Sequence, residues 1–102
     1  MPKIELNIPH ELSQAEALTR IQNFLSELKN EHTDQIKDLE ESWNGNIGEF
    51  SFKISGFKVS GSLEVGESAV VIKGDLPFAA IFFKGQIEDT IRAKAMELLE
   101  KK

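Results

Sequence analysis

Phe50-Ser51-Phe52-Lys53-Ile54-Ser55-Gly56-Phe57-Lys58-Val59-Ser60-Gly61-Ser62-Leu63-Glu64-Val65 alternates apolar and polar residues along almost its whole length. Successive side chains of a strand point to opposite faces of its sheet. A period of two therefore puts Phe50, Phe52 and Ile54 on one face and Ser51, Lys53 and Ser55 on the other. Gly56 turns the chain. Phe57, Val59, Gly61, Leu63 and Val65 then oppose Lys58, Ser60, Ser62 and Glu64. Two such runs joined by a short turn predict an antiparallel hairpin with one buried face. Downstream, Gly66-Glu67-Ser68 turns the chain again, and Val70, Ile72, Gly74 and Leu76 are set against Val71, Lys73 and Asp75. Upstream, Asn44-Gly45-Asn46 is a hairpin turn signal. It implies a preceding short strand over about residues 38–44, with Trp43 as a core anchor at a sheet edge. Gly61 and Gly74 fall on the inward face, where strand glycines mark a bend or bulge, so the sheet is expected to be curved.

Working outward, Ile4, Leu6 and Ile8 alternate with Glu5 and Asn7 as a further strand that Pro9 ends. Ser13-Gln14-Ala15-Glu16 has the spacing of a capping box, with Ser13 as N-cap and Glu16 reaching back. Leu18, Ile21, Phe24, Leu25 and Leu28 follow at helical spacing and predict one amphipathic helix over about residues 14–30. His32 near its end is a partner for the negative helix terminus. The charged segment Glu31 to Glu41 reads as a loop leading into the strand before the Gly45 turn, with Glu40-Glu41 on a solvated face. At the other end Pro77 takes the first position of a last helix, running to about residue 100. Asp75 is placed to serve its first amides and Lys101-Lys102 to suit its negative end. Gly85 inside it permits a kink or a close backbone approach. The order β-α-β-β-β-β-α predicts an α+β domain spanning residues 1–102: a curved antiparallel sheet of four to five strands with two helices on one face. That outline is helix-grip-like. Between sheet and helices a cavity lined by Phe24, Phe52, Phe57, Leu63 and Ile87 would suit a small apolar ligand; the bland alternative is that these side chains fill the core.

One stretch resists this simple packing. Leu76-Pro77-Phe78-Ala79-Ala80-Ile81-Phe82-Phe83 is uncharged and holds three of the seven phenylalanines. The stripe of the last helix through Ile87, Ile91, Ala95, Leu98 and Leu99 projects back onto Ala80 and either Phe83 or Lys84. Phe78, Ile81 and Phe82 spread around it. Either another element covers them or Phe78, Ile81, Phe82 and Phe83 form an apolar contact surface.

The totals narrow the function. The chain has 102 residues, a formal net charge of −5, 40% hydrophobic and 28% charged residues. An acidic balance argues against a nucleic-acid partner. With no cysteine, thiolate nucleophiles, disulfides and zinc–cysteine sites are excluded. The longest apolar run is far short of the ~20 residues of a spanning helix, and Met1-Pro2-Lys3-Ile4-Glu5 has no apolar leader core. A cytoplasmic location is expected. His10 and His32 are the only histidines, and no nucleophile, phosphate-loop or dinucleotide motif occurs. His10, at the end of a strand, reads more readily as a hydrogen-bonded turn residue than as a ligand or base. The expectation is a non-enzymatic protein with no cofactor and no metal.

Several features in order carry a resemblance. A strand runs into His10-x-Leu12 and then into a helix of small and apolar residues. Trp43 precedes a glycine turn, Gly61 is followed by Leu63 and Val65, and the last helix has an apolar front. This pattern, over nearly the whole chain, resembles the polyhydroxyalkanoate (polyhydroxyalkanoic acid) system or granule-region family. The segment Glu31 to Glu41 is longer than the family's pattern. The resemblance implies an accessory protein associated with polyester storage granules and brings no catalytic residues. Its partner would be a polyester granule or lipid surface; on the residues alone the most economical form of the contact is a homodimer through the Phe78–Phe83 region, and a small apolar-ligand carrier stands as the alternative.

Overall fold

Five strands form one antiparallel sheet in the computed structural model, which describes residues 3–31, 33–54 and 56–100. The strands are β1 (Lys3–Pro9), β2 (Ile36–Asn44), β3 (Ile47–Ile54), β4 (Phe57–Val65) and β5 (Ala69–Asp75). Their spatial order is β1-β5-β4-β3-β2. The meander β2 to β5 is sequential, and β1 closes onto β5 along Lys3↔Asp75 to Pro9↔Ala69. Three helices lie among them: α1 (Gln14–Ile21), α2 (Phe24–Glu31) and α3 (Lys84–Leu99). A 3-10 helix, Phe78–Phe83, leads into α3.

The two-residue alternation determines which face is covered. Ile4, Leu6, Ile8, Phe50, Phe52, Val59, Leu63, Val65, Val70 and Ile72 are all buried and join Ala17, Ile21, Phe24, Leu25 and Leu28 in one core. The other face shows Lys3, Glu5, Asn7, Lys53, Glu64 and Lys73 to solvent. The α+β class and the placing of the helices on one face thus hold.

Gly45 begins the two-residue turn between β2 and β3 with φ +64°, a conformation side-chain-bearing residues rarely take. Gly61 and Gly74 stand opposite each other, flanked by Phe50 and Ile4 in the same row. The ladder is regular there. The sheet's irregularity lies instead in β2, where the register shifts between Lys37 and Glu40 and Asp38 has φ +53°. This strand is an edge, and a bulge among charges blunts it against stray pairing. β2 starts at Ile36, two residues before its expected beginning, because Ile36 pairs with Ile54 and is buried. Trp43 lies half-buried on this edge strand, its ring over Gly48, where a Cβ would come within 2.7 Å of it.

Both helical expectations need correction in detail. The first helix is divided at Gln22-Asn23. The Asn23 side chain donates to the Thr19 carbonyl at 3.3 Å, and its backbone N–H turns to Arg20 instead, at 3.1 Å. A short amide side chain competing for helical carbonyls breaks the ladder. Ser13 caps α1 by accepting from the Glu16 N–H at 3.1 Å. The Glu16 carboxylate faces Arg20 at 3.5 Å rather than reaching back, so half of the capping box is realised. The last helix also has two parts: Pro77 is N-cap of the 3-10 segment, and Phe83, its last residue, with φ −104° and ψ 4°, is also the N-cap of α3. Asp75 does not cap it; its carboxylate lies 4.0 Å from Lys3. Gly85 faces open space, so no close approach explains it. Arg20 satisfies the end of α3 by donating to the Leu98 and Glu100 carbonyls at 3.1 and 2.7 Å. The roles expected of His32 and Lys101-Lys102, and the outward place of Ser55, lie outside the described residues.

His10 is a structural tie. Its Nδ1 accepts from the Leu12 N–H and its Nε2 lies 3.1 Å from the Gly66 carbonyl, which fixes the Nε2–H tautomer. The ring thereby holds the entry to α1 against the β4–β5 turn. His10→Ala should cost about 1–3 kcal/mol, because a buried donor and acceptor lose their partner. Urea unfolding should show a lower midpoint with an unchanged slope.

Candidate functional site

The 3-10 geometry explains how the apolar stretch is presented. With three residues per turn, residues i and i+3 eclipse each other. The segment therefore has three rows: Phe78 with Ile81, Ala79 with Phe82, and Ala80 with Phe83. Ala80 is fully buried, and Phe83 packs beside Phe57 with ring centroids 6.3 Å apart and planes tilted by 40°. That row faces the protein. The other two face outward. Phe82 is 91% exposed, Phe78 69%, and Ile81 and Phe83 49% each. No described element covers them. The stretch from Leu76 to Phe83 carries no charged residue, and Lys84 bounds it on the C-terminal side.

Beside this turn lies a cleft of about 580 Å³. Phe52, Ile54 and Phe57 of the β3–β4 hairpin form its floor, and Ile87, Thr90 and Ile91 of α3 form the opposite wall. Leu28 of α2 and Ile36 of β2 also line it. Phe83 belongs both to the cleft and to the exposed turn. Gln35 and Gln86, both exposed, are among its lining residues. Of the five expected cavity residues, Phe52, Phe57 and Ile87 line this cleft. Phe24 and Leu63 do not: they are 2% and 1% exposed within the solid core.

Lys94 was not legible as a special residue, yet it is the one buried lysine among the described residues, at 6% exposure. It follows Ile91 by one helical turn on the buried stripe, which is the signal that could have found it. Its Nζ reaches Glu31 at 2.7 Å, Glu27 at 3.3 Å and Glu97 at 3.6 Å. The hydrogen bond to Glu31 raises its pKa above the ordinary 10.5, burial works against this, and Glu27 reinforces it. The cluster joins α2 to α3 one turn from Leu28 and Ile91, two of the residues that line the cleft. A raised lysine pKa stabilises the fold below the unfolded value and is lost as pH climbs past the folded one. Stability should therefore fall above about pH 10.5 less steeply in Lys94→Met than in the parent. At neutral pH the substitution should cost roughly 1–2 kcal/mol, since the half-exposed carboxylates can rehydrate. Chemical denaturation across that pH range checks both.

His10 is occupied by backbone groups, and the carboxylates near Lys94 serve an ion cluster. No helix among the described residues is long and apolar enough to cross a membrane. No curated protein matches the chain. Residues 4–99, which include both the exposed turn and the cleft, match the family described as "Putative polyhydroxyalkanoic acid system protein", and the chain belongs to that family.

Proposed function

We propose that this chain is a non-enzymatic accessory protein of the polyhydroxyalkanoate system that seats its 3-10 turn in the apolar surface of a polyester granule. The observation that carries the reading is the exposure of Phe82, Phe78 and Ile81 on two adjacent rows of one short turn. A large apolar side chain moved out of water gains about 1.5–3 kcal/mol. Three on one turn provide several kcal/mol before the entropic costs of adsorption. The turn is held by Ala80 and by the Phe83–Phe57 contact, so little ordering is needed on binding. The net charge of −5 disfavours an anionic bilayer and leaves an uncharged polyester as the better match.

The test is sedimentation of the purified protein with polyhydroxyalkanoate particles, with neutral phospholipid vesicles in parallel and light scattering of the free protein. Saturable binding to the polyester supports the reading. Binding to vesicles alone points to a lipid surface. A stable dimer that no longer binds particles means the turn is a homodimer contact and ends the granule reading.

A further inference from the structure

We infer that a row of three lysines beside the exposed turn pairs with carboxylate groups at the polyester surface. The inference rests on the adsorption reading and names the charge that the turn meets at the boundary. Lys37, Lys53 and Lys58 are partners in register on β2, β3 and β4. Neighbouring strands lie about 4.8 Å apart, so the three form one row across the sheet. All are exposed, and they stand on the face opposite the core, since Ile36, Phe52 and Val59 beside them are buried. Like charges directly opposite each other weaken a sheet. Every other pair of charged residues in register among the described residues is of opposite sign: Lys3 with Asp75, and Glu5 with Lys73. The packing gives no reason for the exception. Asp38 lies 3.6 Å from Lys53, whereas neither Lys37 nor Lys58 is ion-paired among the described residues.

The row lies at the end of the sheet that holds the turn. Lys58 follows Phe57, the first residue of β4, and Phe57 packs beside Phe83. Lys53 is the penultimate residue of β3, and Lys37 is the second of β2. Lys84 directly follows the turn. This end of the molecule therefore joins exposed apolar side chains to a row of positive charge. Its partner offers an apolar phase with anionic groups at the edge. A polymer of hydroxy acids ends in a carboxyl group, which is ionised at neutral pH and remains at the water boundary. A dense layer of phosphate headgroups would repel the rest of a chain of net charge −5. Sparse carboxylates on an uncharged matrix meet only the row, because exposed charges act over about 10 Å at 0.1 M salt.

The test is sedimentation with polyester particles, untreated or with their surface carboxylates methylated, and with carboxylate-coated silica, which offers anions without an apolar phase. The parent should bind untreated particles and silica at least about tenfold more tightly at roughly 0.02 M than at roughly 0.5 M salt. Lys37→Gln combined with Lys58→Gln should remove that advantage and bring untreated and methylated particles to equal affinity. This variant should melt at or above the parent temperature, because like charges in register are relieved. Arg92→Glu makes the same change in net charge from an exposed position on α3, across the sheet from the row, and should keep the salt-sensitive binding. Polyester binding that salt, methylation and the lysine changes all leave unaltered overturns this inference and spares the adsorption reading. Binding to silica but not to polyester contradicts the adsorption reading and this choice of surface together. Binding to phosphatidylglycerol vesicles in preference to both carboxylate surfaces overturns the choice of anion.

Discussion

Gly61→Ala is expected to destabilise the domain severely and to lower its melting temperature far more than any other alanine substitution at a strand glycine. A Cβ built at this position meets the Lys73 carbonyl oxygen at 1.9 Å, and the Lys73 carbonyl carbon and Gly74 Cα at 2.8 Å. These are backbone atoms of a neighbouring strand, so no side chain can rotate aside. Relief requires β4 and β5 to separate, at the centre of a sheet whose pairs run from Ser60↔Asp75 to Val65↔Val70. A forced backbone shift of this kind costs roughly 3–5 kcal/mol, against a total of about 5–15 kcal/mol for a domain. Gly74→Ala is the matched control, because its Cβ would have ordinary contacts at 3.6 Å and 3.9 Å. Circular dichroism melts of the two variants should differ by more than about 10 °C.

Leu63→Glu is expected to abolish folding. Leu63 sits on the inward face of β4, opposite Ile72, with 1% of its surface exposed. Truncation alone would cost about 2–5 kcal/mol, and a carboxylate with no partner adds a desolvation penalty of several more. Were Leu63 the wall of a ligand cavity, the charge could be solvated there and the protein would survive. Loss of amide dispersion and of a cooperative melt is the expected outcome. A folded Leu63→Glu would mean that the core is hollow at this point.

The contrast between Leu63 and Phe82 shows what was legible in the sequence. Period-two alternation in residues 50–65 reports burial directly, so the hairpin, its neighbours and the covered face could all be read. The stripe through Ile91, Ala95 and Leu99 placed Ala80 inward by projection alone. The division of the first helix was not legible, because it depends on whether Asn23 bonds to Thr19 or to water. The bulge in β2 escaped for a similar reason: it follows from which residues of a charged segment find partners on β3. Cavity walls were legible in part. Phe24, Phe52, Phe57, Leu63 and Ile87 are all apolar and inward, but their three-dimensional placing, Phe24 on α2 and Leu63 mid-strand in the core, separates these two from the three that line the cleft. Gln35 and Gln86 carry no pattern at all and are found only by where the chain puts them. The apolar turn was conspicuous by composition, whereas its exposure required the three-residue rows that only the 3-10 geometry supplies.

The most direct test of the adsorbing turn is Phe82→Glu, with thermal melting and polyester-particle binding measured on one preparation. Phe82 is 91% exposed and lies off the row that holds the turn to the protein. A surface substitution typically changes stability by less than about 0.5 kcal/mol, so the melting temperature should stay within about 4 °C of the parent. Particle binding should be lost, because a carboxylate would replace the apolar group that enters the polyester. An unchanged melt with binding abolished is the predicted result. A collapsed melt would place Phe82 in the core, and an unchanged melt with binding intact would show that the turn does not carry the interaction.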